Sequence, residues 1–214
     1  MTIVNSFTIQ EAWHESCKLC MQYGKVYTVE QGSYIGVQRK QLNALAIEIE
    51  HPEIRPFGFS YKNVPITSDK AVEQYFNDYI VNTMIPGNEQ YTYGSRIMNQ
   101  LEIVMQKITN SKGFTNQAIL TVGLPGDLLL DDPPCLRELS WKRVENTLQL
   151  CVYFRSWDLF SALAYNLSAF QLLNEMVSEL VNIPTGKLIA FSDGAHIYNH
   201  NWKTFSEEYK IYNE

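Results

Sequence analysis

Apolar residues recur at spacings of three and four along several stretches of this chain. Over 8–23, Trp13, Cys17, Cys20 and Met21 fall on one side, which predicts a helix. Over 68–83, Val72, Tyr75, Phe76 and Tyr79 mark an amphipathic helix, closed by Pro86-Gly87-Asn88. Over 95–110 the stripe is Ile97, Leu101, Val104, Met105 and Ile108, ended by Ser111-Lys112-Gly113. A long Leu- and Ala-rich helix is predicted over 159–182. Other stretches alternate instead. Leu45, Ile47 and Ile49 set against Glu48 and Glu50 predict a half-buried strand, and Val26 to Val29, Ala118 to Val122, 147–155 and Leu188 to Phe191 predict others. Strands and helices mix without strict βαβ alternation. No repeat, low-complexity tract or linker divides them. The expected fold class is α+β, one domain over 1–214.

Composition narrows the function classes. The chain has 17 basic and 23 acidic residues, a net charge of −6, and shows no basic run. That argues against dedicated nucleic-acid binding, which needs a basic face. No apolar stretch reaches about 18 residues, and no leader pattern is visible at the N-terminus, so a cytoplasmic protein that does not span a membrane is expected. Four cysteines in a chain of this length do not suggest a disulfide scaffold. Cys17 and Cys20 form a lone C-x-x-C without a second pair at ligand spacing, so no metal site is expected; they read as two buried thiols on one helix face.

Four pieces between 131 and 200 carry candidate chemistry. Asp132-Pro133-Pro134 fixes the backbone on the approach to Cys135, and a cysteine in an electropositive pocket becomes a thiolate nucleophile. Arg155 and Ser156, at the end of a predicted strand, both donate and suit an anion. Asn166 lies in the following helix. His196 and Tyr198, two apart in a strand, share a face.

In this order, Pro133-Pro134-Cys135, Phe154-Arg155-Ser156-x-Asp158, Asn166 and His196-Ile197-Tyr198 resemble the thymidylate synthase family, in its short archaeal-type branch. Tyr91-Thr92-Tyr93-Gly94 is similar to a Tyr-Gly element of that family. The resemblance implies a mixed sheet packed with helices and a homodimer formed through a sheet face. It implies that Cys135 attacks C6 of a uracil nucleotide, with 5,10-methylenetetrahydrofolate as carbon donor. Arg155 and Ser156 would hold phosphate, Arg155 also lowering the thiol pKa. Asp158 would meet the folate, Asn166 would read the uracil edge, and His196 and Tyr198 would take the sugar 3′-hydroxyl. Glu73 is similar in placement to a catalytic glutamate, and Tyr93 would join the catalytic set. Asn116 and Gln117 would reach the phosphate from a partner subunit.

The chain also departs from the pattern. Asn116 and Gln31 stand where arginines are expected, and Arg39, Arg96, Arg137 or Arg143 are the candidates to compensate. Leu136 follows the cysteine in place of His, Ala162 and Ala164 replace Gly and Pro, and Tyr209 to Glu214 does not resemble the family's closing tail. The leading expectation is conversion of dUMP to dTMP. The alternatives are a pyrimidine nucleotide hydroxymethylase or specialised UMP/dUMP methylase and, in another class, a non-catalytic nucleotide-binding relative.

Overall fold

The chain enters through a short edge strand, β1 (Thr2–Ser6), and turns into α1 (Ile9–Tyr23), whose start is capped by the Thr8 hydroxyl accepting from the Glu11 N–H. α1 buries Trp13, Cys17, Cys20 and Met21, the stripe expected from the spacing. Its C-x-x-C is structural. Both thiols are fully buried, and burial pushes Cys20 up to about 12 and Cys17 well above the ordinary thiol range. We describe a computed structural model covering residues 1–87 and 89–205. The Tyr209 to Glu214 tail and Asn88 lie outside the described residues.

Three strands follow, β2 (Lys25–Thr28), β3 (Gln38–Gln41) and β4 (Leu45–Ile49), then a small hairpin of β5 (Phe59–Tyr61) and β6 (Val64–Thr67). α2 (Asp69–Tyr75) runs into a wider helical turn over Phe76–Val81. The sequence predicts one regular helix over 68–83. The widened turn instead brings Tyr75 and Tyr79 into a stack with ring centroids 5.6 Å apart, and such widened turns often mark functional sites. α3 (Tyr93–Ser111) begins earlier than the apolar stripe, because Thr92 and Ser95 form a reciprocal cap.

β7 (Ile119–Thr121), β8 (Leu136–Val144) and β9 (Thr147–Phe154) lead to the two-residue β10 (Trp157–Asp158) and to α4 (Leu163–Val181). β11 (Thr185–Ser192) and β12 (Ala195–Tyr198) complete the set. α4 starts at Leu163 rather than 159 because Asp158 Oδ1 accepts from the Phe160 and Ser161 N–H groups, at 3.0 and 3.2 Å, and holds a turn there.

A six-stranded mixed sheet has the order β1-β4-β11-β9-β8-β7, parallel at β1/β4 and β11/β9 and antiparallel elsewhere. A second sheet runs β10-β12-β3-β2. The inner face of the large sheet is Leu45, Ile47, Leu150, Val152, Leu188 and Ala190. α4 covers it and is buried on several sides, including Leu167, Phe170 and Leu173. Among its buried polar groups, Asn174 joins it to the sheet: Trp141 Nε1 donates to Asn174 Oδ1 at 3.1 Å. The expected α+β arrangement, a mixed sheet packed with helices, is therefore present. No helix among the described residues is long and apolar enough to cross a membrane.

Candidate active site

The site forms where the two sheets meet. β8 begins one residue after Cys135, and β9 ends one residue before Arg155. The Arg155 N–H donates to the Cys135 carbonyl at 2.9 Å, so the thiol and the guanidinium leave the same rung of the ladder. The pairing slips between Leu136 and Glu138, leaving Arg137 as an extra residue that bends the strand beside the cysteine. Gly194 precedes β12 because an added Cβ there would lie 2.5 Å from the Arg155 carbonyl oxygen. That close approach brings β12 against the end of β9 and carries His196 and Tyr198 to the same opening.

The resulting cleft has a volume of about 800 Å³. Cys135, Arg155, Ser156, Asp158, Asn166, His196, Tyr198 and Tyr93 all line it. Among the expected residues three do not. Glu73 is exposed and borders a separate shallow pocket with Arg55 and Asp69. Two helical residues later the direction has turned by about 200°, so Tyr75, not Glu73, faces the cleft. Asn116 and Gln117 are exposed just before β7, outside the cleft of their own chain, where Gln117 Oε1 accepts from Lys107 Nζ at 3.1 Å.

Cys135 is half-buried. Burial pushes its thiol up, and Arg155, Arg39 and Arg137 oppose that only in part, while the Asp132 carboxylate reinforces it. The expected lowering by Arg155 is present but outweighed. Arg155 itself turns onto the segment before Cys135: Nε donates to the Pro134 carbonyl at 3.2 Å, and Nη2 donates to the Pro133 carbonyl and to Asp132 Oδ1, the latter at 3.3 Å. Asp132 also accepts from the Ser33 hydroxyl at 2.7 Å.

His196 is 3% exposed. Burial lowers its pKa, and the nearby Arg39 and Arg155 charges act in the same direction against the Gly194 hydrogen bond. The ring is therefore neutral, with Nδ1–H donating to the Gly194 carbonyl at 2.8 Å. Nε2 is left as a buried acceptor without a partner among the described residues. An acceptor in that position suits a ligand hydroxyl. Tyr198 packs edge-on to His196 and against Tyr34, with ring centroids 4.7 and 4.6 Å away.

Asn166 has a fixed amide orientation. Trp157 Nε1 can only donate, and it meets Oδ1 at 2.9 Å; Nδ2 therefore faces Tyr75, donating to its hydroxyl at 2.9 Å. Trp157 is held in turn by stacking on Phe154, with centroids 4.4 Å apart and planes 6° from parallel. The Tyr93 hydroxyl accepts from the Leu136 N–H at 3.4 Å, next to the cysteine. Tyr34, Tyr75, Tyr79, Tyr165, Ser33 and Asp132 also line the cleft. The helical spacing singled out Tyr75 and Tyr79 as a packing face, and nothing in it marked them as cleft residues. Among the described residues no group of three or more His, Cys, Asp or Glu side chains is placed to hold a metal ion.

A family model described as thymidylate synthase matches residues 7–210, including most of the N-terminal part that the motifs left thinly covered. The chain belongs to the thymidylate synthase family. Its relatives include a protein of Methanococcoides burtonii named "Putative thymidylate synthase", 30% identical over 94% of this chain and 91% of that protein. One of the same name from Methanosarcina mazei is 28% identical over the same shares of each chain. A thymidylate synthase of Buchnera aphidicola is 27% identical over 52% of this chain and 42% of its own. In this chain, Cys135 and Arg155 share a backbone rung, and His196, fixed by Gly194, lies across the same cleft.

Proposed function

We propose that this chain transfers a one-carbon unit from 5,10-methylenetetrahydrofolate to C5 of a uracil nucleotide, with dUMP as the first-choice substrate and dTMP as product. The convergence of Cys135, Asn166, Arg155 with Ser156, and His196 with Tyr198 in one cleft carries this reading. Each group supplies a contact that the chemistry requires.

Cys135 adds to C6 of the pyrimidine ring as the thiolate. The C5–C6 π electrons move toward C5 and the O4 carbonyl, and C5 becomes the nucleophile. Asn166 Nδ2 keeps one N–H beyond the bond to Tyr75 and donates to O4. Its Oδ1 keeps a lone pair beyond the bond from Trp157 and accepts the N3–H. With Glu73 outside the cleft, Tyr75 is the proton-bearing group nearest that edge. Burial raises its pKa far above the ordinary phenol range, so it acts as a hydrogen-bonding hydroxyl and not as a phenolate. Arg155 and Ser156 donate to the phosphate. His196 Nε2 accepts from the sugar hydroxyl.

The folate is assigned to the rest of the cleft. The cleft continues past Tyr79 and Tyr165 to Leu128 and Leu130, and Asp158 keeps a carboxylate oxygen beyond the one that caps Phe160 and Ser161. When bound, the folate would supply the methylene carbon and then the hydride, while C5 gives up its proton and the C6–S bond breaks to return the Cys135 thiolate. The chain's part is to orient it on Asp158 and to exclude water.

The test is release of tritium from C5-labelled dUMP with methylenetetrahydrofolate, following dihydrofolate in the same reaction. Release matched by dihydrofolate is expected. Release without dihydrofolate would assign hydroxymethylation, and no release from any uracil nucleotide would refute the reading.

The chain is further proposed to act as a homodimer. The outer face of the six-stranded sheet presents Ala46, Ile189, Phe191, Tyr153 and Cys151, all half-exposed, with Ile119 44% exposed at the β7 end. A second copy on this face would bury them and bring Asn116 and Gln117 near a subunit boundary. Sedimentation is expected to give twice the chain mass of 24.7 kDa. A monomer at micromolar concentration would refute it.

A further inference from the structure

Two guanidinium groups face the cleft, and they stand in different states. Arg155 is paired with Asp132 and with two backbone carbonyls. Arg39 pairs with no carboxylate among the described residues. Its Nε is buried without a hydrogen-bond partner. It stands on β3 directly opposite Tyr198 of β12, its guanidinium within hydrogen-bonding reach of the Tyr198 hydroxyl, and its charge acts on Cys135, His196 and Tyr198. A buried donor left unsatisfied costs free energy, and its persistence inside a cleft points to an acceptor that arrives with the ligand.

The other candidate cations are engaged elsewhere. Arg96 grips Asp127 through two contacts of 2.7 and 2.8 Å and also donates to the Val122 carbonyl. Arg137 lies over Gly123 and reaches the Pro134 carbonyl at 3.4 Å. Arg143 is spent on the turn at Glu145 and Asn146. Of the cleft carboxylates, Asp132 is held by Arg155 and Ser33 and Asp158 by the turn it caps, and Asp131 makes no ion pair with Arg39 among the described residues. The planar fork of a guanidinium matches a phosphate better than a neutral acceptor. The Gln31-Gly32-Ser33 loop, which borders the same cleft, offers no cation.

We propose that Arg39 binds the phosphate of the nucleotide, supplying from β3 the positive charge that Gln31 and Asn116 do not carry. The inference rests on the nucleotide reading above. Arg155, already paired with Asp132, is then the second phosphate ligand and exchanges that carboxylate for the substrate anion.

Titration calorimetry of the full chain with dUMP, deoxyuridine and inorganic phosphate tests this, for the parent, Arg39→Gln and Arg39→Lys. Arg39→Gln is expected to weaken dUMP and inorganic phosphate by roughly 10- to 100-fold while leaving deoxyuridine unchanged. Arg39→Lys, which keeps the charge, should recover part of the loss. Unchanged dUMP and phosphate affinities in Arg39→Gln would overturn the proposal. So would an equal loss for deoxyuridine, which would place Arg39 on the sugar or in the fold. Phosphate binding that depends on Arg39, with neither dUMP nor deoxyuridine bound by the parent, would support Arg39 as an anion ligand and refute the uracil-nucleotide reading. No binding of phosphate or dUMP by the parent would overturn both.

Discussion

Cys135→Ala is expected to abolish C5 tritium release, lowering turnover on the order of 10⁴-fold or more while dUMP still binds. No other thiol can substitute. Cys17 and Cys20 are sealed inside α1, and Cys151 lies on the outer face of the large sheet, away from the cleft lining. The pH dependence follows from the environment of the thiol. Burial raises the Cys135 pKa above its ordinary value, so the thiolate fraction of the free protein at neutral pH is smaller than for an exposed cysteine. Alkylation of Cys135 should therefore rise about tenfold per pH unit through neutrality and keep rising past the usual thiol range near 8.5. A plateau below that range would mean that Arg155 and Arg39 outweigh burial. Residual turnover within tenfold of the parent in Cys135→Ala would remove the covalent route altogether.

Asn166→Asp should reverse the base preference, with roughly a 100-fold or larger loss for dUMP and a gain for dCMP. Trp157 still donates to the retained oxygen. The second carboxylate oxygen replaces the NH2 group, and the Tyr75 hydroxyl can rotate to donate to it where it formerly accepted. The local framework thus survives, while the edge presented to the base changes from donor to acceptor. Cytosine carries an amino group where uracil carries O4, so it gains the partner that uracil loses. Comparison of kcat/KM for dUMP and dCMP in both proteins checks this, and an unchanged ratio would place the base elsewhere in the cleft.

Local spacing and motif order made much of this legible in the sequence. α1, α3 and α4 follow from apolar stripes because each buries one side against the sheet or, for α4, nearly all sides. β8 escaped for a physical reason. Its buried residues are Leu136, Leu139 and Trp141, and the extra residue at Arg137 breaks the alternation that announces a strand. Of the expected site residues, those on strand ends and on the first turn of α4 line the cleft. Glu73 lies outside the cleft because a helix with one face toward the cleft turns a residue two positions away to solvent, and the widened turn after Tyr75 has no mark in the apolar pattern. Arg39 could be named among four candidates but not chosen. Its placement depends on β3 pairing with β12, a contact between residues far apart in the chain that no local pattern encodes.

The backbone rung shared by Cys135 and Arg155 has a consequence for how such a protein diversifies. The Arg155 N–H that holds the cysteine carbonyl belongs to the same residue whose guanidinium charge acts on the Cys135 thiol. A lineage that exchanges Arg155 keeps that N–H, which every residue but proline supplies, but removes the positive charge beside the nucleophile. Arg39 stands on the other sheet, paired with β12, and its charge reaches the thiol without a backbone bond to the cysteine. Changes there can retune which phosphorylated or unphosphorylated nucleosides enter while the thiol keeps its position, so drift in substrate range is expected to accumulate on β3 before it reaches β9.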